Sequence, residues 1–210
     1  DEEKVAVFTE KLAETYNTFK AERPFKTHSG KTITVGGGAD DTYGFVLDQK
    51  GTYEVLTEAI GQSKDQFIEP AWDRKAETRN AENGDIGDTY IEVSISEQHM
   101  WFYKEGKIIL DTDVVTGLTS GGRNTPRGVF RVLNKMVNHT MHGSYGTAYC
   151  NYWMPLTLGG VGIHDATWRG SFGGNIYTYD GSHGCINTPL SIMPKFYENG
   201  YRGMPVIVHD

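Results

Sequence analysis

The sequence predicts an α+β fold in which a small α+β domain, residues 1–84, precedes a mainly antiparallel, sandwich- or barrel-like β domain, residues 85–210. The first supporting observation is a helical period near the N-terminus that changes to a period of two beyond the boundary. The second is composition, because glycine supplies 26 of 210 residues beside 12 tyrosines and 9 phenylalanines. Such a composition favours strands joined by tight turns.

The N-terminal part combines helical and extended patterns. Apolar residues recur every three or four positions across residues 3–19, which is the spacing of one buried helical stripe. Residues 31–35 and 43–47 read as extended runs, and residues 52–60 have helical spacing. The segment 75–87 is polar with little apolar periodicity, so the domain boundary is predicted there.

Beyond this boundary, apolar and polar residues alternate as in half-buried strands. No helical pattern lies between the successive runs, which favours antiparallel hairpins over parallel crossovers. The predicted strands span residues 90–96, 99–103, 107–115 and 129–133.

Composition and charge exclude several functional classes. The formal net charge of −7 offers no positive field to a phosphate backbone, so we expect no nucleic-acid partner. The 2 cysteines are too few for a disulfide scaffold, and no run reaches the roughly 18 apolar residues of a membrane span. His139 and His142 lack companion ligands at metal-site spacing, so we expect a surface loop there and no metal.

The strongest chemical signal is the segment SHGCIN at residues 182–187. A helix-compatible run follows at residues 190–197, with Pro189 at the predicted first helical position and Thr188 as its N-cap. Cys185 is therefore expected just ahead of a helix N-terminus, whose partial positive charge favours a thiolate. We predict that Cys185 is a nucleophile that reacts at neutral pH.

The nucleophile needs a partner base and a site for the developing oxyanion. His164 ends an apolar run at a predicted strand terminus, and is better placed to face the sulfur than His183, which shares the cysteine's turn. We choose His164 as the general acid/base. Its ring would be oriented by either the carboxylate or the backbone carbonyl of Asp165. The amides of His183, Gly184 and Cys185 could converge on the oxyanion.

Glycines and aromatic residues are concentrated between residues 143 and 184, which predicts shaped loops around a binding cleft. Sheet aromatics joined by turn glycines are the alternative interpretation. We expect Trp153, Trp168 and Tyr177 to form cleft walls. Cys150, which has no neighbouring histidine, is predicted to be structural.

These motifs resemble those of the L,D-transpeptidases of bacterial cell-wall synthesis. The similarity lies in GIH at residues 162–164, in SHGCIN about twenty residues later, and in TPRGVF at residues 125–130, and it covers roughly residues 88–210. Many members have arginine where this chain has Asn187. Residues 1–84 resemble the peptidoglycan-binding or spacer module that precedes such domains, an arrangement similar to that in the enterococcal member.

The resemblance implies a cofactor-free enzyme that acts on peptidoglycan stem peptides. Cys185 would attack the third stem residue, a diamino acid, and expel D-alanine with a proton from His164. An amine of a second stem would then attack the thioester and form a 3-3 cross-link. Ser182 and Asn187 would contact substrate, and carbapenems would acylate the same thiolate. We expect a monomer outside the membrane, at the cell wall, anchored through an upstream segment absent from this chain.

Other functions remain open from the sequence. An L,D-carboxypeptidase would use the same acyl-enzyme, and a noncatalytic wall-binding protein would use both domains for contact. A zinc hydrolase built on His164, His183 and Cys185 is a further alternative, although the usual ligand separations are missing. A papain-like peptidase has its cysteine before its histidine, the reverse of the order here.

Overall fold

A computed structural model of the chain describes residues 1–79, 84–143 and 146–210. The α-helices in these ranges are α1 (Glu2–Tyr16), α2 (Gln49–Gly61) and α3 (Met193–Asn199). The first strands are β1 (Arg23–Lys26), β2 (Thr32–Val35), β3 (Val46–Leu47) and β4 (Trp72–Arg74). The later strands are β5 (Tyr90–Ser94), β6 (His99–Lys104), β7 (Lys107–Asp113), β8 (Gly128–Arg131), β9 (Met136–Gly143), β10 (Gly146–Pro155), β11 (Gly162–Asp165), β12 (Ile186–Thr188) and β13 (Pro205–His209).

The N-terminal part has the predicted mixture of helices and short strands. Helices α1 and α2 and strand β2 confirm the three patterns from which they were predicted. Asp48 caps α2, because its side chain accepts a hydrogen bond from the Gly51 amide at 2.9 Å. Strands β1 and β4 were missed because each is short and β1 contains Pro24, which weakens a strand signal. Part of the predicted boundary segment, residues 80–83, lies outside the described residues.

The C-terminal part consists mainly of two sheets. The five-stranded sheet has the order β7-β6-β5-β13-β8, and its β5–β6–β7 meander confirms the predicted antiparallel hairpins. The four-stranded sheet has the order β12-β11-β10-β9. Two neighbouring pairs are parallel, β5 with β13 and β11 with β12, so the domain is mainly rather than wholly antiparallel. No helix within the described ranges is long and apolar enough to cross a membrane.

The principal hydrophobic core lies between these two sheets and α3. Apolar side chains from both sheets meet there, which accounts for the alternation in the first predicted strand. The large buried members are Ile91, Met100, Phe102, Phe130, Met154, Leu156, Ile163, Ile186 and Phe196.

The segment 143–184, predicted as loops around a cleft, contains strands in its first part and loops in its second. Strands β10 and β11 occupy much of residues 146–165, and His139 and His142 lie on β9 rather than in a loop. Residues 166–184 are mostly irregular, and several of them line a cleft. The strands were missed because β9 and β10 have mixed, partly exposed residues that do not alternate between apolar and polar. The two histidines nevertheless lie near the surface.

The N-terminal part packs on the outer side of the five-stranded sheet. Phe25 and Tyr43 share a buried cluster with Val129 and Ile207 from that sheet. The carboxylate of Asp41 accepts a hydrogen bond from the Val129 amide at 3.0 Å. Residues 41–43 therefore follow β8, the strand at the edge of the sheet, and cover its exposed backbone.

Replacing Asp41 with alanine is expected to destabilise the fold. The buried carboxylate accepts hydrogen bonds from the amides of Val129 and Gly38, at 3.0 and 3.2 Å, and its loss leaves both donors unpaired. We expect the free energy of unfolding in urea to fall by about 1–3 kcal/mol. Asp40→Ala, at the exposed neighbouring carboxylate, is the matched control and should change it by less than about 0.5 kcal/mol. Equal losses in the two variants would contradict this role of Asp41.

Candidate active site

Cys185 and His164 are brought together by neighbouring strands. Strand β12 begins immediately after Cys185 and runs parallel to β11, with His164 opposite Asn187. Cys185 immediately precedes Ile186, which pairs with Ile163, the residue before His164, so the two strands bring the cysteine and the histidine close together. Both side chains line one open cleft of about 1000 Å³.

This cleft contains six of the residues that the sequence singled out. They are His164, Trp168, Ser182, His183, Cys185 and Asn187. The other lining residues, apart from four glycine, alanine and serine positions, are Met141, Thr147, Tyr149, Thr167, Arg169, Ile176, Tyr179 and Asp180. A cleft of this size accommodates a peptide or a drug-sized ligand.

Two of the predicted walls lie elsewhere. Trp153 is buried beside the base, because β10 places it opposite His164 and the two rings lie 5.6 Å apart between centroids. Tyr177 packs on the hydrophobic core. Trp168 is 52% exposed and its ring lies 5.8 Å from that of His164, so it alone of the three borders the cleft.

The backbone of Asp165 orients the histidine. Nδ1 of His164 lies 2.9 Å from the Asp165 carbonyl oxygen, which requires the proton on Nδ1 and leaves Nε2 as the basic nitrogen of the neutral ring. The Asp165 carboxylate has other partners, since it accepts hydrogen bonds from the amides of Asn151 and Tyr152 and from the Asn151 side chain. Of the two predicted orienting groups, the carbonyl makes the contact.

Burial keeps both reactive groups uncharged. Desolvation lowers the pKa of His164 to about 4, and the positive charge of Arg169 contributes in the same direction. Desolvation also raises the pKa of the Cys185 thiol to about 11, against a hydrogen bond from the Gly162 backbone that lowers it. The site therefore holds a neutral thiol and a neutral imidazole at pH 7.

The predicted start of the helix that follows Cys185 was wrong, although α3 overlaps the predicted run at residues 190–197. Thr188 is the last residue of β12, and α3 begins only at Met193, with Pro194 in its first turn. Strand pairing prevails over the capping signal, because residues 186–188 pair with β11. Cys185 consequently precedes a strand and gains no helix dipole, which agrees with its raised rather than lowered pKa.

The turn before Cys185 is held by its own polar groups. The Ser182 hydroxyl accepts a hydrogen bond from the Gly184 amide at 3.1 Å and donates one to the Cys185 carbonyl. The Thr125 hydroxyl donates a hydrogen bond to the Gly184 carbonyl at 2.8 Å and so links this turn to the TPRGVF motif at residues 125–130. Gly184 has a φ of +117°, which strains any residue with a Cβ.

These contacts change the expected oxyanion site. The Gly184 amide is already bound to Ser182, so it is not aimed at a ligand as predicted. The Cys185 amide remains as the candidate donor from this turn. His183 is exposed at the cleft, with Nε2 3.4 Å from a guanidinium nitrogen of Arg123.

Asn187 and Cys150 occupy buried positions near Cys185. Asn187 lines the cleft, and its buried side-chain oxygen has no hydrogen-bond partner among the described residues. Cys150 is buried with Met141 and Trp153, and Cys185 packs against this cluster. Desolvation first, and nearby Asp165 next, raise the pKa of Cys150 to about 12, so it is the less reactive of the two thiols.

Arg169 and Asp180 were not predicted from the sequence, and they form an ion pair in the cleft with Nη1 and Oδ2 2.9 Å apart. A signal was present, because residues 143–184 contain 3 charged side chains, these two and Asp165. Within the described part of the chain, no group of three or more His, Cys, Asp or Glu side chains is arranged to hold a metal ion.

The L,D-transpeptidase catalytic domain family, YkuD, matches residues 88–208. A search of curated proteins gave no match.

Solved structures similar to this chain include several L,D-transpeptidases. The avibactam carbamoyl enzyme of Ldtfm has 38% identity and a TM-score of 0.82, covering 100% of this chain and 81% of that chain. A cysteine-to-serine mutant of the Enterococcus faecium L,D-transpeptidase has 37% identity and a TM-score of 0.82, covering 100% and 82%. The E. faecium catalytic domain has 46% identity and a TM-score of 0.54, covering 58% of this chain and 97% of that chain.

The protonation state of Cys185 is directly measurable. Because its pKa is raised to about 11, the sulfur should be a thiol at pH 7 and become a thiolate only in strongly alkaline solution. We expect the difference in thiolate ultraviolet absorbance between wild type and Cys185→Ala to rise well above pH 8. Cys150→Ala is the control for the second thiol. A titration midpoint below pH 8 for Cys185 would contradict this result and support the thiolate that the sequence predicted.

Proposed function

Because the chain belongs to the L,D-transpeptidase family, we propose that it is a cysteine acyltransferase that cross-links peptidoglycan stem peptides through their third residues. The observation that carries the proposal is the shared cleft of Cys185 and His164, which lie at paired strands. A thiol and a neutral imidazole in one cleft supply the nucleophile and the base that acyl transfer through a thioester needs.

The first half-reaction acylates Cys185. The sulfur bonds to the carbonyl carbon of the third, diamino acid residue of a tetrapeptide stem while Nε2 of His164 accepts the thiol proton. The C–N bond to the terminal D-alanine then breaks, and His164 returns the proton to the departing amine. The products are a thioester on Cys185 and free D-alanine, with no change in oxidation state.

The second half-reaction transfers the acyl group. An amine of a neighbouring stem attacks the thioester carbonyl and passes a proton to His164. The C–S bond breaks, the new amide forms, and the proton returns to the sulfur of Cys185. Attack by water in place of the amine gives a tripeptide instead, which is the L,D-carboxypeptidase reaction.

Other residues of the cleft have supporting roles in this proposal. The Cys185 amide stabilises the oxyanion, and Ser182 with Gly184 shapes the turn that presents it. The unpartnered side-chain oxygen of Asn187 accepts a hydrogen bond from a substrate amide. Trp168 is the exposed wall that packs against the methylene groups of the stem.

The same thiol is the proposed target of acylating inhibitors. One similar structure is a carbamoyl enzyme formed with avibactam, and another is the E. faecium catalytic domain acylated by ertapenem. Carbapenems present an electrophilic lactam carbonyl to Cys185 in the same geometry as the donor peptide.

The location of the substrate determines where the enzyme works. Peptidoglycan lies outside the cytoplasmic membrane, so we place the protein in the extracytoplasmic space at the cell wall. The N-terminal part, residues 1–84, is the proposed peptidoglycan-binding or spacer module. One chain suffices for the chemistry, because nucleophile and base come from neighbouring strands of one sheet.

The roles of His164 and Asp165 lead to different expected losses. His164→Ala should lower turnover by roughly 100-fold or more, the usual effect of removing a general base. Asp165→Asn should lower turnover by less than about tenfold, because the backbone carbonyl that orients His164 remains. It should also reduce thermal stability, because the new side-chain NH2 group would face backbone N–H donors that the carboxylate now binds. His142→Ala, on the exposed part of β9, is the histidine control. Equal losses from the first two variants would assign the orienting role to the carboxylate.

Mass spectrometry with a disaccharide-tetrapeptide tests the proposed reaction. We expect released D-alanine, an acyl adduct on Cys185 and a cross-linked dimer from the wild type. Cys185→Ala should give none of these products, whereas Cys150→Ala should retain all three. Tripeptide without dimer would establish hydrolysis instead, and an adduct on another residue would contradict the nucleophile.

A further inference from the structure

The cleft contains one buried cation and one exposed anion that the reaction above does not use. Among the described residues that line it, Arg169 and Asp180 are the only Arg, Lys, Asp or Glu side chains. Nη1 of Arg169 donates to Oδ2 of Asp180 at 2.9 Å. Arg169 and Asp180 therefore supply the carboxylate and the guanidinium of the cleft lining, and the guanidinium of Arg123 lies beside His183.

The pair is asymmetric in its access to solvent. The side chain of Arg169 is 8% exposed, and its Nε is buried without a partner among the described residues. The side chain of Asp180 is 71% exposed. A ligand entering the cleft consequently meets the carboxylate, while the guanidinium behind it fixes the position of that carboxylate.

The pair also lies beside the reacting groups. Arg169 belongs to the turn after β11, where its amide donates to Ala166, and its charge contributes to lowering the pKa of His164. Asp180 follows the 3-10 turn at Ile176–Thr178 and precedes the SHGCIN segment. Their ion pair thus joins the loop that follows the base to the loop that leads to the nucleophile.

We propose that Asp180, held by Arg169, binds the protonated amine of the acceptor stem. This inference rests on the proposed function and concerns its second half-reaction. A side-chain amine with an ordinary pKa of about 10.4 is a cation at neutral pH, whereas water, the competing nucleophile, is uncharged. A carboxylate at the cleft therefore enriches the amine over water near the thioester.

The guanidinium limits how tightly the amine is held as a cation. A lone carboxylate would stabilise the ammonium form, which cannot attack a carbonyl. Arg169 offsets part of that charge, so the bound ammonium can release one proton to solvent; the neutral amine then attacks the thioester and passes a second proton through His164 to the sulfur of Cys185. The pair therefore favours transfer over hydrolysis without contacting the donor carbonyl.

The test measures, in wild type and in Asp180→Asn, how much of the acyl-enzyme reacts with the acceptor amine and how much reacts with water. With the disaccharide-tetrapeptide as donor and acceptor, we expect the ratio of dimer to tripeptide to fall about fivefold in the variant, the scale of one exposed ion pair. Asp180→Glu should restore most of the ratio. Asp65→Asn, at an exposed carboxylate outside the cleft lining, should leave the ratio unchanged.

A neutral nucleophile separates charge recognition from a structural role. Near pH 8, hydroxylamine is uncharged and Nα-acetyl-lysine amide is a cation, and each can intercept the thioester. Asp180→Asn should reduce capture by the lysine derivative about fivefold and capture by hydroxylamine by less than twofold. Added salt should weaken capture of the lysine derivative in wild type only.

Three outcomes would overturn the inference. An unchanged dimer-to-tripeptide ratio in Asp180→Asn, with D-alanine release intact in wild type, removes the role of Asp180 and leaves the proposed function standing. Equal losses with both nucleophiles show that the ion pair only supports the loop. No D-alanine release by wild type overturns the proposed function, and this inference with it.

Discussion

Because Ile163 pairs with Ile186 and His164 with Asn187, the position of the candidate site depends on the parallel alignment of β11 and β12. A shift of one residue in that register would turn the histidine to the opposite face of the sheet. Asn187 also exchanges two backbone hydrogen bonds with Val115, at 2.9 and 3.0 Å, so β12 is held on its other side as well. The relative position of Cys185 and His164 is therefore a property of the sheet rather than of a flexible loop.

Burial has the same effect on the side chains of Cys185 and His164. It disfavours the thiolate of Cys185 and the imidazolium of His164, so neither charge exists before substrate arrives. In the proposed mechanism, charge develops only when a substrate carbonyl accepts the sulfur and the Cys185 amide faces the oxyanion. The thiol proton would then leave as the sulfur attacks, so a thiol that is unreactive alone would react with a correctly placed peptide.

Local patterns in the sequence pointed to residues that share a cleft, but they did not reveal long-range strand pairing. Cys185 and His164 were singled out because rare residue types stand beside glycine and at the end of an apolar run, and both line the cleft. The helix start at Thr188 was predicted wrongly, since Thr188 pairs with Asp165, which lies 23 residues earlier, and no local pattern indicates that pairing. Trp153 was placed in the cleft because residue type alone does not tell which face of a strand it occupies. Arg169 was missed because it lies in a turn, where its burial follows from tertiary packing that no local sequence pattern shows.

The N-terminal part stabilises the sheets that carry the site, whatever else it binds. The Thr42 hydroxyl accepts from the Arg131 amide of β8 at 3.0 Å and donates at 2.9 Å to the carbonyl of Leu156, which follows β10. Thr42 therefore links β8, at the edge of the five-stranded sheet, to the end of β10 in the four-stranded sheet. Strand β10 is the strand that pairs with β11 at His164. An uncovered β8 would expose unpaired backbone groups to other chains. Protection of that edge is sufficient reason for the N-terminal part to pack where it does, even without contact with the cell wall.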